Sequence, residues 1–180
     1  ALEPYRIAIF GNIISITTLH SVVILADVSD PHNPRDLFRA QYSLHPEVTI
    51  WNHYAVFAFF DRVELVDLNT LPSTNPVGAI KNLFGPVLVP WQNGVIVSQT
   101  HSIQVYDLTT PSAPRKLSSS DEFGPFAVAP RGNTLLVASS TSFRSFDFSN
   151  PASLKVLATE SAQLAQRTEV LDNLAWVGGG

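Results

Sequence analysis

Apolar and polar positions alternate along much of this chain, and the alternation returns at regular intervals. Four residues before Asp27, Asp67, Asp107 and Asp147 stand Val23, Val63, Ile103 and Phe143. One residue after each stand Val28, Leu68, Leu108 and Phe148. Three before stand Ile24, Glu64, Gln104 and Arg144, which are mostly polar. A period near two predicts a strand with one face toward a core. Tyr54–Phe60 and Gly94–Val97 are instead almost wholly apolar, as expected of strands covered on both faces. No stretch carries an apolar period of 3.6 residues, and Ser161–Glu169 is expected to form a helical turn at best.

The intervals are those of an internal repeat. The spacing of the four aspartates is 40, 40 and 40. Each is followed by a polar, proline-containing phrase: Ser29-Asp30-Pro31, Asn69-Thr70-Leu71-Pro72, Thr109-Thr110-Pro111 and Ser149-Asn150-Pro151. A second series, Asn12, Asn52, Asn93, Asn133 and Asn173, is spaced 40, 41, 40 and 40. Two markers in one register define a repeating unit of constant length. The first unit resolves into strands at about Ile7–Phe10, Ile13–Thr17, Val22–Val28 and Asp36–Gln41. Gly11-Asn12, Asn52-His53, Asn93-Gly94 and Gly132-Asn133 fall between the first two strands, where a hairpin needs residues that tolerate positive φ. The Asp…Pro phrase falls between the third and fourth. Its side-chain oxygens can bond nearby backbone N–H groups, and its prolines stop the strand.

Four short strands in a unit of this length are the spacing of a propeller blade, whereas solenoid units of similar length are usually helical. The expected fold is therefore all-β: a β-propeller of four-stranded blades at about 5–44, 45–85, 86–125 and 126–165, with half of a fifth at 169–177. The fifth aspartate would fall beyond Gly180. Either further blades or another chain is therefore expected to cover the open edge, including Val170, Leu171, Leu174, Trp176 and Val177.

The phrase Val23-Ile24-Leu25-Ala26-Asp27-Val28-Ser29-Asp30-Pro31-His32-Asn33-Pro34 resembles the LVIVD-type propeller repeat. Thr109-Thr110-Pro111-Ser112-Ala113-Pro114 matches it less well, and Ser149-Asn150-Pro151 lacks the second proline. Gly124–Pro130 with Gly132-Asn133 is similar to the YVTN-type blades of surface-layer proteins. The likeness spans nearly the whole chain. It implies an exported, cell-surface setting and no shared catalytic residues.

Composition adds a few limits. With 45% apolar and 14% charged residues, the 180-residue chain is built to fold rather than to stay disordered. A net charge of −4 argues against a nucleic-acid surface. No run approaches the roughly 18 to 20 apolar residues of a membrane span. There is no Cys, which excludes disulfides, thiolate metal sites and a cysteine nucleophile. The absence of Met suggests a processed N-terminus or part of a longer chain, and with the 13 prolines and low charge it fits an extracellular, periplasmic or cell-surface domain.

Candidate chemistry is sparse. One aspartate per blade would be spread around a ring, so Asp27, Asp67, Asp107 and Asp147 read as turn-capping groups rather than metal ligands. No calcium-loop, zinc, nucleophile-elbow or phosphate-loop spacing occurs, and no cofactor is expected. His20, His101, Asp61 and Arg62 fall in turns between second and third strands. His45, Glu47, Asp121 and Glu122 fall in or next to the connections between blades, at the same end of a propeller. These eight form the candidate binding face, although ordinary loop composition accounts for them too. Trp51, Trp91 and Trp176 read as packing residues, with sugar stacking the sharper alternative. The expected function is a non-enzymatic interaction or scaffold module. The alternatives are a propeller enzyme with paired carboxylates at the channel mouth, acting on a glycan or peptide, and a small-molecule or metal sensor.

Overall fold

A computed structural model gives the fold and describes residues 3–42, 46–73, 75–121, 125–139, 142–161, 165–171 and 174–179. It is all-β. The first sheet holds β1 (Pro4–Phe10), β2 (Ile13–Thr18), β3 (Val22–Asp27) and β4 (Arg35–Gln41), antiparallel and in sequence order. The second holds β5 (Glu47–Trp51), β6 (Tyr54–Ala58), β7 (Arg62–Asp67) and β8 (Gly78–Lys81). The third holds β9 (Val87–Trp91), β10 (Gly94–Gln99), β11 (Ser102–Asp107) and β12 (Arg115–Asp121). The fourth holds β13 (Pro125–Arg131), β14 (Thr134–Ser139), β15 (Ser142–Asp147) and β16 (Lys155–Ser161). A two-stranded sheet of β17 (Ala165–Leu171) and β18 (Leu174–Gly179) follows. The helical turn expected within Ser161–Glu169 is not formed at its described residues: Ser161 ends β16, and 165–169 belong to β17. Strand-to-strand pairing outweighs a weak local pattern there.

The chain divides into two compact units. One contains Ala1–Pro90 with Thr109–Pro114, and the other contains Trp91–Leu108 with Arg115–Gly180. In the first unit, Val23, Leu25, Val48, Ala55, Phe57 and Val66 form one buried cluster, with Phe38, Tyr42, Phe59, Leu68 and Leu71 packed against it. Of the apolar run Tyr54–Phe60, only Tyr54–Ala58 forms a strand, and there Ala55, Val56, Phe57 and Ala58 are all buried; Phe59 and Phe60 fall in the turn after it, where Phe60 is 52% exposed rather than covered. Two buried hydroxyls tie β2 to the next sheet, Ser15 Oγ donating to the Val48 carbonyl and Thr17 Oγ1 to that of Pro46, each at 3.4 Å. In the second unit Val95, Ile96 and Val97 of β10 are fully buried, as are Ile103 and Val105 of β11.

The two repeated markers turn out to be joined. The residue after each aspartate donates its N–H to the hairpin between the first two strands: Val28 to the Asn12 carbonyl at 2.7 Å, Leu68 to His53 at 2.9 Å, Leu108 to Asn93 at 2.8 Å and Phe148 to Asn133 at 2.7 Å. The turns therefore lie at 11–12, 52–53, 92–93 and 132–133, with Gly11, Asn52 and Gly132 at positive φ. Gly94 is not part of the third turn. It opens β10, where a Cβ would run into the Tyr106 carbonyl, so close backbone approach explains the glycine.

The aspartates do act locally. Asp27 Oδ1 accepts from the Ser29 N–H at 2.8 Å, Asp67 Oδ1 from Asn69 at 2.8 Å, and Asp147 Oδ1 from Ser149 at 2.9 Å. Bonds from Ser29 and from Ser149 hold the Asp27 and Asp147 carboxyls below the usual carboxylate range. The start of the fourth strand brings a guanidinium to two of them: Arg35 reaches Asp27 at 3.4 Å and Arg115 reaches Asp107 at 3.1 Å.

Candidate functional site

Within the first unit, the starts of three first strands converge on a cavity of about 520 Å³. Arg6 of β1, Glu47 of β5 and Val87 of β9 line it, and each stands six positions before the second turn residue of its own repeat, at 12, 53 and 93. They are one register position seen in three successive repeats. The remaining wall comes from turns and connections at the same end: Leu19, Pro46, Phe59, Phe60, Gly85 and Pro86, together with Ala58 of β6.

The wall is held from outside. The connection between β8 and β9 is pinned to the β6–β7 turn by two backbone bonds, Leu83 N–H to Asp61 O at 3.0 Å and Gly85 N–H to Phe60 O at 2.7 Å. Gly85 has a φ of +57° there and Asn82 one of +61°, the left-handed region that these two residue types tolerate best. Phe59 is braced by Tyr42, with ring centroids 5.6 Å apart, and by Phe57 at 6.3 Å. Arg62 lays its guanidinium over the Phe59 ring, 4.4 Å from the centroid, and bonds Glu64 at 2.7 Å and Asp61 at 2.9 Å.

Glu47 is the largely buried charged group among the described lining residues of this cavity. Its side chain is only 12% exposed, and its partner is Arg6, whose Nη2 lies 2.7 Å from Oε1. Burial pushes the Glu47 carboxyl from the ordinary 4.5 up to about 7, and the Arg6 charge and the Leu88 N–H pull it back only in part. Arg6 is 46% exposed, so water screens the attraction while the carboxylate bears the desolvation.

Of the eight residues expected on a binding face, Glu47 lines the cavity. Asp61 and Arg62 lie on its outer wall, and His20 is exposed beside the lining residue Leu19. His101 and Asp121 belong to the other unit, and His45 and Glu122 lie outside the described residues. Arg6, Phe59, Phe60 and the 85–87 segment were not singled out from sequence. Counting back from the turn residue, rather than from the aspartate, would have aligned Arg6 with Glu47 and Val87. Trp51 is buried and stacks on Tyr54 at 6.0 Å. In the second unit Trp91 meets Phe148 edge-on at 5.4 Å, donates Nε1–H to the Tyr106 carbonyl at 3.3 Å and borders a cavity of about 560 Å³. The side chain of Trp176 lies outside the described residues. Among the described residues no group of three or more His, Asp or Glu is placed to hold a metal ion, and no helix is long and apolar enough to cross a membrane.

Antiparallel four-stranded sheets repeated in sequence order define a β-propeller. The comparisons agree on that fold. The chain is similar to BamB from Moraxella catarrhalis, with 13% identity, a TM-score of 0.67, and coverage of 94% of this chain and 56% of that one. It is similar also to the computationally designed Ika8 protein, with 12% identity, a TM-score of 0.76, and coverage of 98% and 55%. A chain of the mitotic checkpoint complex matches with 12% identity, a TM-score of 0.70, and coverage of 92% and 54%. The chain thus spans about half the length of these solved structures, and identities this low speak for the fold alone. No protein-family model matches the sequence, so the LVIVD-type likeness rests on its residue phrases; no curated protein matches either.

Proposed function

We propose that this chain is a non-enzymatic interaction module of an exported or cell-surface protein or assembly, and that it receives a protein partner at the mouth of the first unit's cavity. The observation that carries this reading is the apolar rim. Leu19 is 48% exposed, Phe60 52%, Phe84 59% and Val87 38%, and all stand at or beside one preformed opening. Large apolar side chains grouped in water around a concave site are characteristic of interaction surfaces. Glycoside chemistry would require two carboxyls about 5 to 10 Å apart across the cleft. Glu47 is the carboxylate among the described lining residues, which favours binding over hydrolysis. A second contact is proposed along β1, where Ile7 is 56% exposed, Ile9 69% and Phe10 48%; further blades or another chain would cover it. The exported setting is supported by the repeat resemblance and by the proline-rich, low-charge composition.

Peptide-display selection against the 180-residue chain tests the proposal. Selected peptides should lose binding to Phe60→Ala and Phe84→Ala, while both variants keep wild-type melting temperatures. Peptides indifferent to both substitutions, or hydrolysis of a glycan or peptide panel that Glu47→Gln abolishes, would overturn it.

A further inference from the structure

We infer that this cavity takes a basic side chain, arginine or lysine, presented by an apolar segment of a protein partner, with Glu47 as the anchoring carboxylate and Phe59 and Phe60 as the flanking walls. This deepens the interaction reading above and rests on it.

Charge complementarity decides the sign. Glu47 is largely withdrawn from water, and the cation that balances it, Arg6, arrives on a long side chain that is 46% exposed. A guanidinium or ammonium entering from a partner replaces one ion pair with another, and the displaced Arg6 regains water at little cost. A carboxylate entering instead would bring a second negative charge next to one already raised in energy by burial. At pH 8, above the raised value of Glu47, the charged residues in and around the wall lean the same way: Arg6 and Arg62 stand against Glu47, Asp61 and Glu64, leaving one negative charge. The walls suit the same ligand. Phe59 already carries a guanidinium on one ring face, at 4.4 Å, and Phe60 offers an exposed ring beside it. The volume, about 520 Å³, leaves room for a neighbouring apolar side chain. The two backbone bonds from Leu83 and Gly85 hold the wall in place before any ligand arrives, which lowers the ordering cost of binding.

The test uses blocked tripeptide amides, acetyl-Leu-Arg-Leu, acetyl-Leu-Gln-Leu and acetyl-Leu-Glu-Leu, with butylguanidinium as a fourth probe. Each is titrated into the chain and followed by NMR shifts of the Phe60 and Val87 amides at pH 8. The arginine peptide should bind at least tenfold more tightly than the glutamine peptide. Glu47→Gln should erase that preference, and Arg6→Gln should preserve or increase it. Equal binding of the arginine and glutamine peptides, sensitive to Phe60→Ala, would overturn the basic-ligand inference and leave the interaction reading standing. Preference for the glutamate peptide, or no binding by any probe, would overturn the inference. Butylguanidinium binding as tightly as the arginine peptide would overturn the protein-segment part of it.

Discussion

Replacing Glu47 with Gln should make this protein more stable at alkaline pH. A carboxyl whose proton affinity is raised by folding favours the folded state fully only below its unfolded value, and that advantage disappears as pH climbs toward the folded value. For Glu47 the window runs from 4.5 to about 7. At about 1.36 kcal/mol per tenfold change in proton affinity, the buried charge costs the folded state on the order of 3 kcal/mol above pH 8. Arg6, the ionised group paired with Glu47, is already counted in that balance. Once freed by the substitution its half-exposed side chain stays in water. Gln mimics the protonated acid in size and polarity, so Glu47→Gln and the parent chain should be nearly equal near pH 4.5. Urea denaturation at pH 5.0 and 8.5 measures the difference. The variant should be about 2 to 3 kcal/mol more stable than the parent at pH 8.5 and within about 1 kcal/mol at pH 5.0. Parallel pH profiles for the two proteins would refute the reasoning, because Glu47 would then ionise in the folded state as it does in the unfolded chain.

Asp27→Ala should lower the urea midpoint, and Asp27→Asn should recover most of the loss, because the turn needs an oxygen acceptor for the Ser29 N–H more than it needs a charge; equal loss in both variants would count against this. Gly78→Ala should destabilise by about 1 to 3 kcal/mol in the same assay, since a Cβ there would run into the Pro111 carbonyl, which is backbone and cannot rotate away. Leu25→Ala, at a side chain with 0% exposure, should cost about 2 to 5 kcal/mol and depress the melting temperature accordingly.

The fold was legible in the sequence because a repeat writes the same local physics several times. The aspartates, the turn asparagines and glycines, and the period-two strands each mark elements settled among near neighbours in the chain. In the first repeat the strand expected at Val22–Val28 is observed at Val22–Asp27, and the one expected at Asp36–Gln41 at Arg35–Gln41. What the sequence located only one residue at a time was the site. Glu47 stood among the candidates, but as one polar residue near a connection, with nothing local to say that it would be buried. Its partner Arg6 lies a whole repeat earlier in the chain, and Phe59 and Phe60 read as the end of a fully covered strand, whereas they form the turn that walls the cavity. A carboxylate's proton affinity depends on how much water its neighbours exclude, and here those neighbours come from β1, β5, the β6–β7 turn and the segment before β9. Hairpin turns and strand alternation are short-range properties that each repeat carries within itself. Burial and charge pairing are sums over chain segments that meet only when successive sheets pack, and so the tertiary structure alone decided them.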